Sequence, residues 1–273
     1  MQKVVRKILR AVADYDPKYY DMYADVNEAF FAQLYVERIM QHTRAAGITP
    51  GATLLEAGCQ AGRLVIPFAK LGFQVTGIDT SGFALRRARK HARTAGVDAA
   101  FVQGDLMEVL ARNPSSRYDI VVCAEVVYLS PRYRDMVSTL AGAVRPGGLL
   151  CVSHRPKFYY LLEALRQYDL STAAEVERRS EGAFRSSEYY NWQSEPELRA
   201  LYESLGLRCV AIHPIDRFAW LSGISPAQLS HEQRDRWLQL ELQTAGDTTS
   251  AARYLLVVAE KPRITNHQIS ITK

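Results

Sequence analysis

The residues of this 273-residue chain that are equipped for chemistry stand at the ends of short apolar runs. Glu56 follows Leu54-Leu55, and the turn Gly58-Cys59-Gln60-Ala61-Gly62 begins two positions on. Asp79 ends the run Val75 to Ile78, about 20 residues past the first glycine, where an acid commonly accepts ribose hydroxyls. Gly104-Asp105 closes the run Ala100 to Gln103, Glu125 follows Tyr118 to Ala124, and His154-Arg155 follows Leu149 to Ser153. A carboxylate can receive several hydrogen bonds, which suits the hydroxyl and amino groups of a ligand. A neutral histidine can remove a proton from a hydroxyl or an amine. Each residue also has a structural reading. Asp79 could cap a helix, Asp105 could be a plain turn residue, and His154 could belong to a helix end. Glu125, next to a buried strand, must be paired or lie at the strand end.

The elements that hold these tips follow from the periodicity. A strand through Leu54 and Leu55 turns at the glycines into a helix from Arg63 to Lys70, which stops at Gly72. The strand before Asp79 leads to a helix over Gly82 to Ala95 capped by Gly96, and a third strand ends before Gly104. Tyr118 to Ala124 is apolar enough for a strand buried on both faces. A helix from about Arg132 to Ala143 runs into Arg145-Pro146-Gly147-Gly148, and a fifth strand brings in His154. Strands alternating with helices predict a parallel sheet with helices on both faces. Beyond it, Phe158 to Arg179 reads as one or two helices, followed by a polar link through Glu188. Ser194-Glu195-Pro196-Glu197 is a capping box, with proline in the first turn, opening a helix to Leu205. Strands are expected at Leu207 to Ile212 and Arg253 to Ala259, with a helix over 225–245 between them. At the amino end, Ala29 to Met40 reads as helical.

The stretch Leu54 to Ser81 resembles the class I S-adenosylmethionine-dependent methyltransferases, whose first motif is an acid followed by alternating glycines. Glu56, Gly58 and Gly62 match it, and Gln60 replaces the middle glycine, which ordinarily lets the backbone approach the cofactor. Tyr118-Asp119-Ile120-Val121-Val122 and the Arg-Pro-Gly-Gly turn extend the resemblance over about residues 50–155, and more loosely over 191–262. It implies an α/β, Rossmann-like, doubly wound, seven-stranded and mostly parallel sheet. It further implies a helical lid at 1–46, a methyltransferase domain at 47–262 with a helical substrate insertion at 156–190, and a polar tail at 263–273.

The resemblance assigns S-adenosyl-L-methionine as cofactor and S-adenosyl-L-homocysteine as product. Glu56 and Gly58 are expected to hold its amino-acid end, with Cys59, Gln60 and Gly62 in the same loop supplying backbone amides. Asp79 takes the ribose with Thr80 beside it, and Gly104, Asp105 and Leu106 take the adenine. Ala124 and Glu125 face the methionine portion and the sulfonium. His154 is the candidate base and Tyr128 the residue that closes the methyl-transfer site, although positioning alone can drive this reaction. His213, Tyr15, Tyr19, Tyr20, Tyr23, Tyr189, Tyr190 and Trp192 are secondary candidates for the mouth or for packing.

Composition narrows the partners. With 48% hydrophobic and 23% charged residues and a net charge of +5, the chain is an ordinary globular protein with a mild basic excess. No run of five or six like charges marks a nucleic-acid arm. The four cysteines, Cys59, Cys123, Cys151 and Cys209, lack metal-ligand spacing, so no metal is expected and a reducing cytoplasm fits. No apolar stretch approaches the ~20 residues of a membrane helix. A small-molecule acceptor, methylated at oxygen, nitrogen or carbon, is the expected partner, and the oligomeric state is left open. Three rival readings fit less of the chain. A nicotinamide-dependent oxidoreductase wants G-x-G-x-x-G, which the turn misses. A nucleic-acid amino-methyltransferase wants an Asp/Asn-Pro-Pro-aromatic motif where Ala124-Glu125-Val126-Val127-Tyr128 stands. A non-catalytic cofactor-binding partner or sensor is suggested by Gln60 alone.

Overall fold

The computed structural model describes residues 19–115, 117–184, 188–244, 246 and 251–263. Residues 1–18 of the expected lid, with Tyr15, lie outside the described residues, and so does the expected tail beyond Arg263. The strands are β1 (Thr53–Ala57), β2 (Gln74–Asp79), β3 (Ala100–Gln103), β4 (Tyr118–Cys123), β5 (Val144–His154), β6 (Glu181–Phe184), β7 (Glu188–Asn191), β8 (Arg208–Ile215) and β9 (Tyr254–Glu260). The helices are α1 (Val26–Ala45), α2 (Val65–Lys70), α3 (Gly82–Thr94), α4 (Leu106–Arg112), α5 (Tyr133–Ala143), α6 (Lys157–Leu165), α7 (Leu170–Arg178), α8 (Glu195–Ser204), α9 (Phe218–Ser222) and α10 (His231–Gln243).

Seven strands form one sheet in the order β3-β2-β1-β4-β5-β9-β8. The pairings from β3 to β5 are parallel, and β9 runs antiparallel to both neighbours. This is the expected doubly wound, mostly parallel α/β sheet. The strand order reverses between β1 and β4, and the crevice outside the carboxyl ends of such strands is where open α/β sheets bind ligands. Glu56, the last residue but one of β1, stands there, paired in register with Val122 of β4.

Alternation along each strand explains why both faces are covered. Leu54, Ile120, Val122 and Cys151 face one core with α1, α2 and α3. Leu55, Val121, Cys123 and Leu150 face the other, with Leu140 of α5 and Leu198 and Tyr202 of α8. Local chemistry sets the helix starts. Asp25 caps α1 by accepting from the amides of Asn27 and Glu28, Ser81 caps α3, and Asp105 caps α4. Among the described residues no helix is long and apolar enough to cross a membrane.

Three expectations change. The lid divides, because Phe30, Phe31, Leu34, Tyr35 and Ile39 bury α1 in the core, and of the described residues before it only 19–25 lie by the site. The insertion is two helices and a β6–β7 hairpin rather than helices alone, with its own core of Tyr160, Ala164, Val176, Phe184 and Trp192. Trp192 serves that core, donating to the Arg179 carbonyl at 2.7 Å. Finally β5 starts five residues early. Gly147 donates to the Lys261 carbonyl at 2.7 Å and Lys261 to that of Gly148 at 3.0 Å, which ties the Pro-Gly-Gly segment, kinked at Gly147 with φ +76°, to the residue after β9.

Candidate active site

A cleft of about 380 Å³ opens at the β1–β4 reversal. Its walls include Glu56, Gly58, Cys59, Gln60, Asp79, Thr80, Gly104, Asp105, Leu106, Ala124, Glu125 and Tyr128, brought together from the ends of β1 to β4 and the segments that follow them. A roomier groove of about 620 Å³ between α4 and α5 shares only Asp105 with it and is walled by helix surfaces. The cleft lining carries four carboxyl groups against one guanidinium, that of Arg63. That balance favours a ligand with positive charge.

Glu56 is 3% exposed and its Oε2 has no hydrogen-bond partner. Burial lifts its carboxyl to about 8, with Arg63 and the Val65 amide pulling the other way. Beside it the chain must turn tightly. Gly58 has φ +83°, and a Cβ there would stand 2.3 Å from Val126 Cγ2, so only glycine fits.

The Gln60 position shows how the missing glycine is accommodated. Its φ is +44°, a conformation costly for a side chain. Its amide N–H donates to Asp79 Oδ2 at 2.8 Å, while Ser81 N–H donates to Asp79 Oδ1 at 2.8 Å. Its side chain turns to the amino-terminal segment, donating from Nε2 to the Tyr20 carbonyl at 2.7 Å and accepting from Met22 N–H at 3.3 Å. The same segment is held by Asp21 against His91 Nε2 at 2.8 Å and by Tyr19 against Phe83 with ring centroids 4.8 Å apart. Tyr23 stacks on His91 at 4.6 Å. Gln60 therefore fastens a strap across the cleft rather than filling it.

Arg63, absent from the sequence expectations, is 5% exposed and pairs with Glu28 of α1 and with Glu125 at 2.8 Å. Burial opposes its charge, but Glu125 and Glu28 outweigh that and hold the cation. Glu125 has φ +63°, and its amide donates to Ser153 Oγ at 2.6 Å. The two carboxylates and one guanidinium tie α1, the glycine turn and the end of β4 into one wall. Asp105 uses Oδ1 to cap α4, accepting from Met107 N–H at 2.9 Å, which leaves Oδ2 for a ligand donor. Asp105 thus caps a helix and lines the cleft at once.

Two expected residues are not at the cleft. His154 is fully buried, facing α8, with Nε2 2.9 Å from the Tyr202 hydroxyl. Burial lowers its pKa to about 3, so it is a neutral core residue and not the base. Gly62 does not line the cleft either. Its N–H is committed to the Cys59 carbonyl at 2.8 Å, and its φ of +89° fits the turn into α2. The amides of Gly58 and Cys59 are likewise spent on the Ile78 carbonyl, at 2.7 and 3.0 Å. His213 is no mouth residue, since its Nε2 lies 2.7 Å from that of His42 on α1.

Arg155, one step along from His154, faces the other way. Its guanidinium lies 4.3, 4.4 and 4.7 Å from the ring centres of Tyr128, Tyr159 and Tyr254. Tyr128 thus borders the cleft with its ring braced by a cation, and burial raises its hydroxyl above the ordinary phenol range. The remaining wall residues that sequence reasoning missed are Met22, Ile78, Val126 and Met136. Ile78, Val126 and Arg63 adjoin motif residues, which was the available signal; Met22 and Met136 carried none.

Comparison with known proteins agrees with this geometry. A family model described as a methyltransferase domain matches residues 54–148. The chain is 29% identical over 194 residues to the ubiquinone biosynthesis O-methyltransferase of Proteus mirabilis (strain HI4320), covering 70% of this chain and 77% of that one. It is 30% identical over 189 residues to the enzyme of the same name from Erwinia tasmaniensis, covering 68% and 76%. Among solved structures, magnesium protoporphyrin IX methyltransferase from Synechocystis PCC 6803 with bound S-adenosylhomocysteine superposes with a TM-score of 0.58. That match covers 95% of this chain and 99% of that one at 18% identity, and so speaks to the fold.

Proposed function

Because the chain belongs to the class I S-adenosylmethionine-dependent methyltransferases, we propose that the β1–β4 cleft holds this cofactor and presents its methyl group to the oxygen of a small-molecule acceptor. The choice of oxygen follows the relatives, which are named O-methyltransferases.

One observation carries the reading. The buried Glu56 Oε2 lacks a partner, and an ammonium group is the partner that a carboxylate in such a place needs. S-Adenosylmethionine brings an ammonium and a sulfonium, which the acid-rich lining suits. Glu56 would hold the ammonium. Asp79, already fixed by the Gln60 and Ser81 amides, would accept the ribose hydroxyls. Asp105 Oδ2 would accept from the adenine amino group, with Leu106 against the ring. When bound, the cofactor supplies an electrophilic methyl group on sulfur. The chain's part is to align the acceptor and exclude water, with Tyr128 and the Tyr20–Met22 strap closing the mouth. No histidine base is assigned, since His154 faces the core.

Calorimetric titration with S-adenosylmethionine, S-adenosylhomocysteine and NAD tests this. Saturable heat from both sulfur compounds and none from NAD is the expected result. Heat from NAD alone would overturn the reading, and so would silence from both sulfur compounds in folded protein.

A further inference from the structure

A second cavity, of about 370 Å³, lies beside the cleft, at the carboxyl end of β8. Its walls include Glu28 and Phe31 of α1, Asp216 and Trp220, Ile224 and Arg253. Two boundaries join it to the first site. Glu28 pairs with Arg63, which lines the cleft. Tyr20 lines the second cavity, and its carbonyl is the acceptor for Gln60 Nε2. The Glu28–Arg63 ion pair and the strap are therefore boundaries that the two spaces share.

Asp216 is the unusual group in this wall. It is 2% exposed and holds φ +56°, in the left-handed region that non-glycine residues seldom occupy. Such strain persists where the surroundings enforce it, and it clusters at ligand sites. Its Oδ1 accepts from Trp220 N–H at 3.1 Å and its Oδ2 from Arg253 Nη1 at 3.3 Å. A carboxylate offers about four lone-pair sites, so acceptor capacity remains. Burial lifts Asp216 to about 6, against the pull of Arg253, and it is mostly ionised at neutral pH.

The ring beside it is held by the insertion. Trp220 Nε1 donates to Glu163 Oε1 of α6 at 3.2 Å, Arg166 donates to the Trp220 carbonyl at 3.2 Å, and the Tyr159 ring lies 5.2 Å away. The insertion thus braces this cavity wall from behind. In charge, Asp216 faces Arg253, and Glu28 is backed by Arg63. The lining carries two carboxyl groups, each paired with a guanidinium, beside aromatic surface, and Asp216 keeps capacity to accept.

We propose that this second cavity is the acceptor chamber, taking an uncharged aromatic molecule against Trp220 and Phe31 with a hydroxyl donated to Asp216. The inference rests on the first cleft being the cofactor site. Asp216 is a positioning residue here.

The test uses the full chain with catechol as probe, with and without saturating S-adenosylhomocysteine. Tryptophan emission is followed, and benzoate and benzylamine serve as charged controls. Catechol should change the emission saturably, and Trp220→Phe should abolish the change although Trp192 and Trp237 remain. Asp216→Ala should weaken catechol by about tenfold or more, as loss of a hydrogen bond to a charged group implies. Ile224→Trp narrows the cavity from a residue 47% exposed, and provides the test if Asp216→Ala does not fold. Calorimetry should show catechol weakened about tenfold in that variant while S-adenosylhomocysteine binding is unchanged. The proposal is overturned by absence of a catechol response, by a response that survives Trp220→Phe, by preference for a charged control, or by unaltered catechol binding in Ile224→Trp. A catechol response with no S-adenosylhomocysteine binding would instead overturn the cofactor reading.

Discussion

With the cofactor ammonium placed on Glu56 as proposed, cofactor binding becomes a proton-linked event. The Glu56 carboxyl titrates at about 8 in the ligand-free protein because burial disfavours the charge and Oε2 has no partner. At pH 7 a group with that pKa is roughly 0.9 protonated. An ammonium seated against it favours the ionised form, so binding must expel that proton. The ligand's own amino group, an ammonium beside a free carboxylate, is already protonated at pH 7, so the net release is roughly 0.9. Each pH unit below 8 adds about 1.4 kcal/mol to the cost of ionising Glu56. Affinity should therefore rise about tenfold from pH 6 to 7 and flatten above about 8, where Glu56 is already ionised. Calorimetry with S-adenosylhomocysteine at pH 7 in phosphate and in Tris reads the proton number directly from the difference in apparent enthalpy. Glu56→Gln should abolish both the release and the pH slope. Tight binding with no proton exchange in the unsubstituted chain would refute the reasoning, because Glu56 would then be ionised beforehand or be no partner of the ammonium. Stability carries the opposite sign. A carboxyl whose folded pKa exceeds the unfolded one lowers stability as pH rises from about 4.5 to 8, so Glu56→Gln should raise the melting temperature of the ligand-free protein at pH 8.

Three other outcomes are expected. Arg63→Met leaves Glu28 and Glu125 buried without their cation and should cost about 3–5 kcal/mol in urea unfolding; a loss under about 1 kcal/mol would mean the pair is solvated. His154→Ala should lower stability by about 1–3 kcal/mol through the orphaned Tyr202 hydroxyl, while turnover falls by far less than the ~10²-fold that marks loss of a base. A fall of that size in folded protein would return His154 to the reaction. Gln60→Gly suits the local φ of +44° and keeps the fold, but it should free the Met22 amide, read as faster hydrogen exchange there; unchanged protection would show that the contacts of Tyr19, Asp21 and Tyr23 fasten the strap without Gln60.

Much of the cofactor side was legible in the amino-acid sequence, because its signals are local. An apolar run that ends on an acid places that acid at a strand tip, and a glycine turn after a strand marks the point where a helix begins. Glu56, Gly58, Asp79, Asp105 and Glu125 were found that way, and all five line the cleft. Gly62 belongs to the same turn, but its one hydrogen donor faces back to Cys59, a detail of φ and not of spacing. His154 shows the limit more sharply. Strand residues alternate between faces, so the last residue of β5 points to Tyr202, 48 positions away, and the next, Arg155, points to Tyr128 and Tyr254. Residue type could not distinguish these two, and one step of pleat did.

What depended on tertiary structure alone is everything held by side chains distant in sequence. Glu28, Arg63 and Glu125 meet because α1 crosses the sheet beside the glycine turn. Gln60 read by itself is a defect in a motif, and becomes a fastening only when Tyr20 and Met22 lie over it. Asp216 and Glu28 share a cavity because β8 reaches α1 across the sheet. The sequence by itself determined the sheet and the acids at its strand tips, since periodicity and turn chemistry act over a few residues, while the cofactor class came from its resemblance to a family. Tertiary structure decided which polar groups are paired, buried or open to a ligand, because desolvation and hydrogen bonding depend on neighbours that chain order does not specify.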